Sequence, residues 1–83
     1  MTKKQLINLQ GKTIRFQLPA FKHAVHIDTY EGVVQLQEYR LANSKVEHIN
    51  ILLYEAMKNG LKCQHNIVIM WNRLNEITNL EVL

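Results

Sequence analysis

The sequence predicts one mainly β domain, in which a short N-terminal helix precedes a small barrel of five strands. Apolar and polar residues alternate over much of the chain, as they do in strands with one buried face. One glycine, Gly32, interrupts this alternation inside a long β-rich run. A glycine within a strand marks a bulge or a bend, and a bent strand can turn the corner of a small barrel. The length suits a single domain over residues 1–83.

The first predicted element is a helix over residues 3–10. Thr2 and Gln5 have the spacing of a capping box, and Gly11 stands where a glycine commonly follows the last helical turn. Residues 12–18 then alternate between apolar and polar side chains. This pattern predicts a half-buried strand directly after the helix.

The second strand is predicted to be the longest. Pro19 ends the first strand because it has no N–H to donate to a sheet, and residues 20–24 follow as a loop. Residues 25–39 are extended, with the bend at Gly32. Residues 40–45 then have the composition of a turn.

The segment over residues 44–59 supports two predictions. Ser44 and Glu47 form a second possible capping box, and Gly60 could follow a helix of about four turns. Three apolar residues also alternate as a strand requires: Ile49, Ile51 and Leu53. The local signals favour the helix, which gives the alternative fold class: an α+β domain whose middle helix at 44–59 packs on an antiparallel sheet.

The last third of the chain predicts two short apolar elements. Residues 64–71 read as a strand with Ile67, Ile69 and Trp71 on one face. Residues 72–75 interrupt it. Residues 77–83 end the chain as a short strand or a last helical turn.

Charge and cysteine content limit the class of protein. The net charge is +3, and residues 1–45 carry seven Lys and Arg against three Asp and Glu. This imbalance suits weak attraction to phosphates, although an ordinary soluble surface can also have it. With one cysteine there is no disulfide framework, and the longest apolar run, residues 67–71, is too short for a membrane span. We therefore expect a cytoplasmic protein that associates with itself.

Metal binding and catalysis have little support in the sequence. His23 and His26 would point to opposite faces of an extended chain, and Cys63 with His65 completes no known zinc spacing. Ser44 is the only serine and lies in no nucleophile motif. We expect a non-enzyme without a cofactor or a metal.

Taken in order, these segments resemble the Sm/Lsm family, which includes the bacterial Hfq proteins. The motifs that carry the resemblance are Gly11-Lys12 at the first strand, Tyr30-Glu31-Gly32 in the bent strand, His48-Ile49-Asn50 before further aliphatic residues, and the apolar spacing from Ile67 to Ile77. The resemblance requires the middle segment to be a strand. The chain departs from the family at Val46, where an acidic residue is usual, and at Met70-Trp71, where Arg-Gly is usual.

The resemblance implies a ring that binds RNA or a nucleotide. Sm-like subunits join through their fourth and fifth strands into hexamers or heptamers, and nucleotides bind near the pore. The matching positions here form the predicted ligand site: His48, Asn50, Trp71, Asn72 and Arg73. In such a site an aromatic ring stacks on a base, an amide contacts its edge and an arginine holds phosphate. Trp71 could instead pack in the core or between subunits.

The α+β alternative implies a different function. A small α+β domain of this kind would act as a regulatory or inhibitor protein of a mobile element, by binding a host protein. It would be a monomer or a dimer without affinity for nucleotides. Circular dichroism separates the two folds, because the alternative has far more helix.

Overall fold

The computed structural model describes residues 1–40, 42 and 47–83, and these form a mainly β fold with one short α-helix. The elements in chain order are α1 (Lys3–Ile7), β1 (Thr13–Pro19), β2 (Ile27–Arg40), β3 (Glu47–Lys58), β4 (Leu61–Lys62), β5 (Ile67–Ile69), a 3-10 helix η1 (Trp71–Glu76) and β6 (Thr78–Val82). The predicted mainly β class is therefore confirmed.

Helix α1 begins as the sequence predicts. The Thr2 side chain accepts a hydrogen bond from the Gln5 backbone N–H, and the Gln5 side chain accepts one from the Thr2 backbone N–H. This capping box satisfies two of the free donors at the helix start. The helix ends at Ile7, earlier than predicted, and turns lead to Gly11 at a φ of +79°, which glycine adopts without a steric penalty.

The strands form one antiparallel sheet of six strands in the order β4-β3-β2-β1-β6, and β5 pairs with β3. Strand β3 therefore has β2 along one side, with β5 and β4 in succession along the other. Among the described residues, β5 and β6 do not pair with each other, so backbone hydrogen bonds do not close the sheet into a barrel. The sheet has one strand more than the five predicted, because the short β4 forms a hairpin with β3.

The bend at Gly32 is present, but the extra residue lies on the opposite strand. Glu31 pairs with Met57 and Val33 pairs with Tyr54, so two residues of β3 oppose Gly32 alone. One of these two, Glu55, has a positive φ of 51°. A bulge of this kind bends the strand and increases its twist. Gly32 is required because the bent partner strand passes directly over it.

The middle helix of the alternative fold is wrong for the described residues of that segment. Residues 47–58 form β3, while Ser44 and Val46, on which the capping box and the family's acidic position fall, lie outside the described residues. Gly60 does not follow a helix. It forms a two-residue hairpin turn with Asn59, where both residues have positive φ, as the Asn-Gly pair favours. The α+β fold is therefore not the fold of this chain.

The core lies between one face of the bent sheet and the two helical segments. Its fully buried members include Phe16, Ile51 and Leu53, while α1 and the turn after it contribute Leu6 and Leu9. The predicted strand over residues 64–71 is shorter than expected, because it ends at Ile69 and Trp71 begins η1. The chain ends as a strand rather than a helical turn.

Candidate functional site

Two predicted site residues, His48 and Trp71, lie in direct contact. The two rings are stacked, with centroids 3.8 Å apart and planes inclined by 14°. His48 is the second residue of β3, and Trp71 is the first residue of η1. Both side chains are partly exposed. We call this pair the aromatic platform.

Asn50 fixes the Trp71 side of the aromatic platform through a hydrogen bond to the Trp71 backbone. Its side chain is buried, with 2% exposure, and its Oδ1 accepts a 2.8 Å hydrogen bond from the backbone N–H of Trp71. Its Nδ2 donates to Gln37 Oε1 at 3.5 Å. A buried amide with both ends engaged is stable in the core and fixes the start of η1 relative to β3. Asn50 therefore positions the backbone of Trp71.

Arg73 connects the site to the far end of β1. Its Nη2 donates to the backbone oxygen of Pro19 at 2.6 Å, and its Nε donates to Glu76 at 3.1 Å. The Arg73 side chain is only 27% exposed. The guanidinium that the sequence suggests for phosphate binding thus joins η1 to β1 in this structure.

The two residues on either side of Trp71 are more open. Asn72 is exposed on η1, and Met70, directly before η1, is 39% exposed. The structure therefore brings together His48, Asn50 and Trp71, and places Asn72 beside them. Arg73 lies on the same element but contacts β1.

Sequence reasoning gave no role to the loop between β1 and β2. Residues 20–26, which we call the Phe21 loop, carry a 67% exposed Phe21 and a 97% exposed Val25. The loop is closed by a hydrogen bond from the Ala20 N–H to the His26 oxygen at 2.9 Å. The sequence signal that could have indicated this loop is Phe21 beside Lys22, two residues after Pro19.

A second polar cluster lies at the opposite ends of β2 and β3. Asp28 is 3% exposed, and its Oδ1 accepts hydrogen bonds from Asn59 Nδ2 and His26 Nε2, each at 2.9 Å. Lys58 Nζ lies 3.8 Å from the other carboxylate oxygen. The Asn59 hydrogen bond, then His26 and Lys58, hold the pKa of Asp28 below its ordinary value of 3.8, against the opposing effect of burial.

This Asp28 cluster ties the β3–β4 turn to β2. Asn59 Oδ1 also accepts the Thr29 backbone N–H at 2.9 Å, and the Asn59 N–H donates to the Thr29 oxygen at 2.7 Å. All of these contacts are within the fold. The cluster therefore stabilises the sheet by joining the β3–β4 turn to β2, and we assign it no ligand.

A groove of about 480 Å³ lies between α1 and β6. Leu9, Leu74 and Leu80 contribute apolar walls, and Lys12 and Asn8 lie at its polar side.

No group of three or more His, Cys, Asp and Glu side chains in residues 1–40, 42 and 47–83 is arranged to hold a metal ion. Neither described helix has the length and apolar character needed to cross a bilayer.

Comparisons of the chain with protein-family models, with curated proteins and with solved structures gave no match. The functional assignment therefore rests on the geometry of the described residues.

Proposed function

We propose that the protein is a non-enzymatic, ring-forming Sm-like protein that binds RNA or a nucleotide on the aromatic platform. The observation that carries this proposal is the stacked His48–Trp71 pair, held by the buried amide of Asn50. Two stacked, partly exposed rings on a rigid support are suited to stacking on a nucleobase. Aromatic stacking of this kind contributes about 1–3 kcal/mol per base and tolerates any base.

The positions of the platform residues agree with the implied site. In the resemblance, ligand residues come from the third strand and from the knuckle before the last strand. Here His48 and Asn50 lie on β3, and Trp71 and Asn72 lie on η1, which precedes β6. The convergence of these elements, which are far apart in sequence, supports the proposed site.

The two ends of the sheet support assembly into a ring. The strands β5 and β6 correspond to the fourth and fifth family strands, and each has one side without a strand partner among the described residues. Exposed apolar side chains accompany these edges, at 44% for Val68, 38% for Leu80 and 54% for Val82. Pairing of β5 of one subunit with β6 of the next would cover them and satisfy the free edges. We propose that this pairing, repeated between neighbouring subunits, closes a ring of six or seven subunits.

The alternative function loses its structural basis. The regulatory or inhibitor function is inferred for an α+β domain with a helix at 44–59 packed on its sheet, and residues 47–58 form a strand. Nothing else in the described residues specifically favours that function.

Intrinsic fluorescence gives a direct test, because Trp71 is the only tryptophan. Short oligoadenylate and oligouridylate should quench Trp71 emission in the wild-type protein as a base stacks on the indole. Binding to a labelled strand should be retained in Trp71→Phe, and weakened about 5- to 150-fold in Trp71→Ala.

Tyr54→Ala is the matched control for this test. It removes another partly exposed aromatic residue from β3, 37% exposed, away from the platform, and should leave affinity unchanged. Absence of binding by the wild-type protein, or equal affinity in Trp71→Ala, would contradict the proposal.

A further inference from the structure

The Phe21 loop presents the chemistry of a nucleic-acid contact outside the platform. Phe21 is 67% exposed, and Lys22 and His23 beside it are exposed as well. No acidic residue occurs in residues 20–26. An exposed ring next to a lysine can stack on a base while the lysine contacts a phosphate.

A hydrogen bond links the base of the Phe21 loop to η1, the element that carries Trp71. Arg73 lies two residues after Trp71, and its Nη2 donates to the Pro19 oxygen at the base of the loop at 2.6 Å. The length of this connected path limits the separation of Phe21 from Trp71 to about 25 Å. A strand of a few nucleotides can span a separation of up to this length and contact both sites at once.

The loop also offers a positively charged side chain for contact with a phosphate. The Arg73 guanidinium, two residues after Trp71, is engaged with the Pro19 oxygen and with Glu76 rather than extended toward solvent. Lys22 is exposed and lies in the loop that Arg73 supports. Residues 20–26 contain no Asp or Glu of their own, and the nearby Asp28 carboxylate is buried and bonded to His26 and Asn59. The exposed positive charge of Lys22 therefore favours a polyanionic strand.

We propose that the Phe21 loop is a second contact for single-stranded nucleic acid, with Phe21 stacking on a base and Lys22 contacting a phosphate. This proposal rests on the proposed function, and it narrows the ligand to a strand of several nucleotides that runs from the platform to the loop. Short ligands bind the platform alone.

The test compares two lengths of oligouridylate, a trinucleotide and a strand of about 12 nucleotides, a length within the range of single-strand binding sites. Phe21→Ala should weaken binding of the long strand about tenfold and leave trinucleotide binding unchanged, while Phe21→Tyr should retain both. Lys22→Gln should reduce the slope of log affinity against log salt by about 0.7 for the long strand, as expected for one phosphate contact.

Val25→Ala is the matched control, because Val25 lies in the same loop, is 97% exposed and has neither a ring nor a charge. Equal long-strand affinity in Phe21→Ala and wild type overturns the inference and leaves the loop as a surface for a protein partner. An equal loss for both lengths also overturns it, because Phe21 would then act through the platform. If the wild-type protein binds neither length, the proposed function itself fails.

Discussion

A single buried amide determines whether the two platform rings meet. His48 and Trp71 lie on different elements, and Asn50 is the residue of β3 that bonds to the backbone of Trp71. At 2% exposure, the amide cannot exchange this bond for one with water. Asn50 thus has a positioning role for the backbone of Trp71.

We expect Asn50→Ala to destabilise the fold by about 1–3 kcal/mol, because the Trp71 N–H loses its acceptor. The melting temperature should fall by about 4–8 °C for each kcal/mol, and the emission spectrum of Trp71 should shift as η1 loosens. Gln37→Ala is the control, since it removes only the longer 3.5 Å hydrogen bond from the same amide. Equal losses in the two variants would show that Asn50 does not act through Trp71.

Gly32 lies where the partner strand leaves no room for a side chain. A Cβ at this position would lie 2.9 Å from the Tyr54 backbone oxygen and 3.1 Å from the Leu53 Cβ. The nearest contact is a backbone atom of the bulged strand, so the strain cannot be relieved by a side-chain rotation. Gly32 therefore allows β2 and β3 to cross closely at the bend.

Gly32→Ala should destabilise the protein by about 1–3 kcal/mol through overpacking, measured by urea unfolding. Gly11→Asn provides a contrast, because Gly11 has a positive φ of 79° but open space within 4 Å of the point where a Cβ would lie, and asparagine tolerates that backbone conformation. A smaller loss for Gly32→Ala than for Gly11→Asn would refute the close-contact explanation.

At the scale of elements, β3 is held by pairing on both of its sides. It pairs with β2 along nearly its whole length, and with β5 and β4 on the other side. Its end is fastened to β2 by the Asp28 cluster at the Asn59-Gly60 turn. The turn and the carboxylate therefore act together to fix the register of the hairpin.

The Asp28 cluster predicts a specific acid sensitivity. Because the pKa of Asp28 lies below 3.8 in the folded state, the ionised carboxylate stabilises the fold above pH 3.8, and this contribution is lost as the pH falls through the folded pKa. Thermal unfolding between pH 7 and acid pH should show a loss of stability in the wild type that Asp28→Asn lacks.

Glu38→Gln is the control for the acid series, since it removes an exposed carboxylate from the same strand. It should retain the wild-type slope of stability against pH in the acid range. Parallel curves for the wild type and Asp28→Asn would show that another carboxylate governs the acid response.

At the scale of the whole molecule, the sheet is open and its two end strands are short. Small domains bury a modest fraction of their surface, so covering exposed apolar edges by self-association would add stability. Val68 on β5 and Val82 on β6 are among the exposed apolar residues at these ends. The proposed ring joins them.

Val68→Lys should convert the proposed six- or sevenfold assembly into monomers, because a charge would be buried at the β5 edge. Native mass spectrometry reads the stoichiometry directly. Val25→Lys is the control, since Val25 is 97% exposed in the Phe21 loop and lies on neither edge strand, and it should leave the assembly intact. A wild-type monomer or dimer would refute the ring.

The sequence by itself determined the features that depend on neighbouring residues. The alternation of apolar residues predicted the mainly β class, and Thr2 with Gln5 predicted the start of α1, because both patterns act within a few positions. The bend at Gly32 was also predictable, since a glycine inside a strand most often marks a bulge or a close approach of backbone.

Tertiary structure alone decided the middle of the chain and the geometry of the site. A capping box contributes about 1 kcal/mol to a helix, whereas β3 gains pairing on both sides and buries Ile51 and Leu53 completely. The same pairing brings His48 and Asn50 beside Trp71, although they are distant in sequence. Local signals cannot encode such contacts, because their free energy exists only once the strands have assembled.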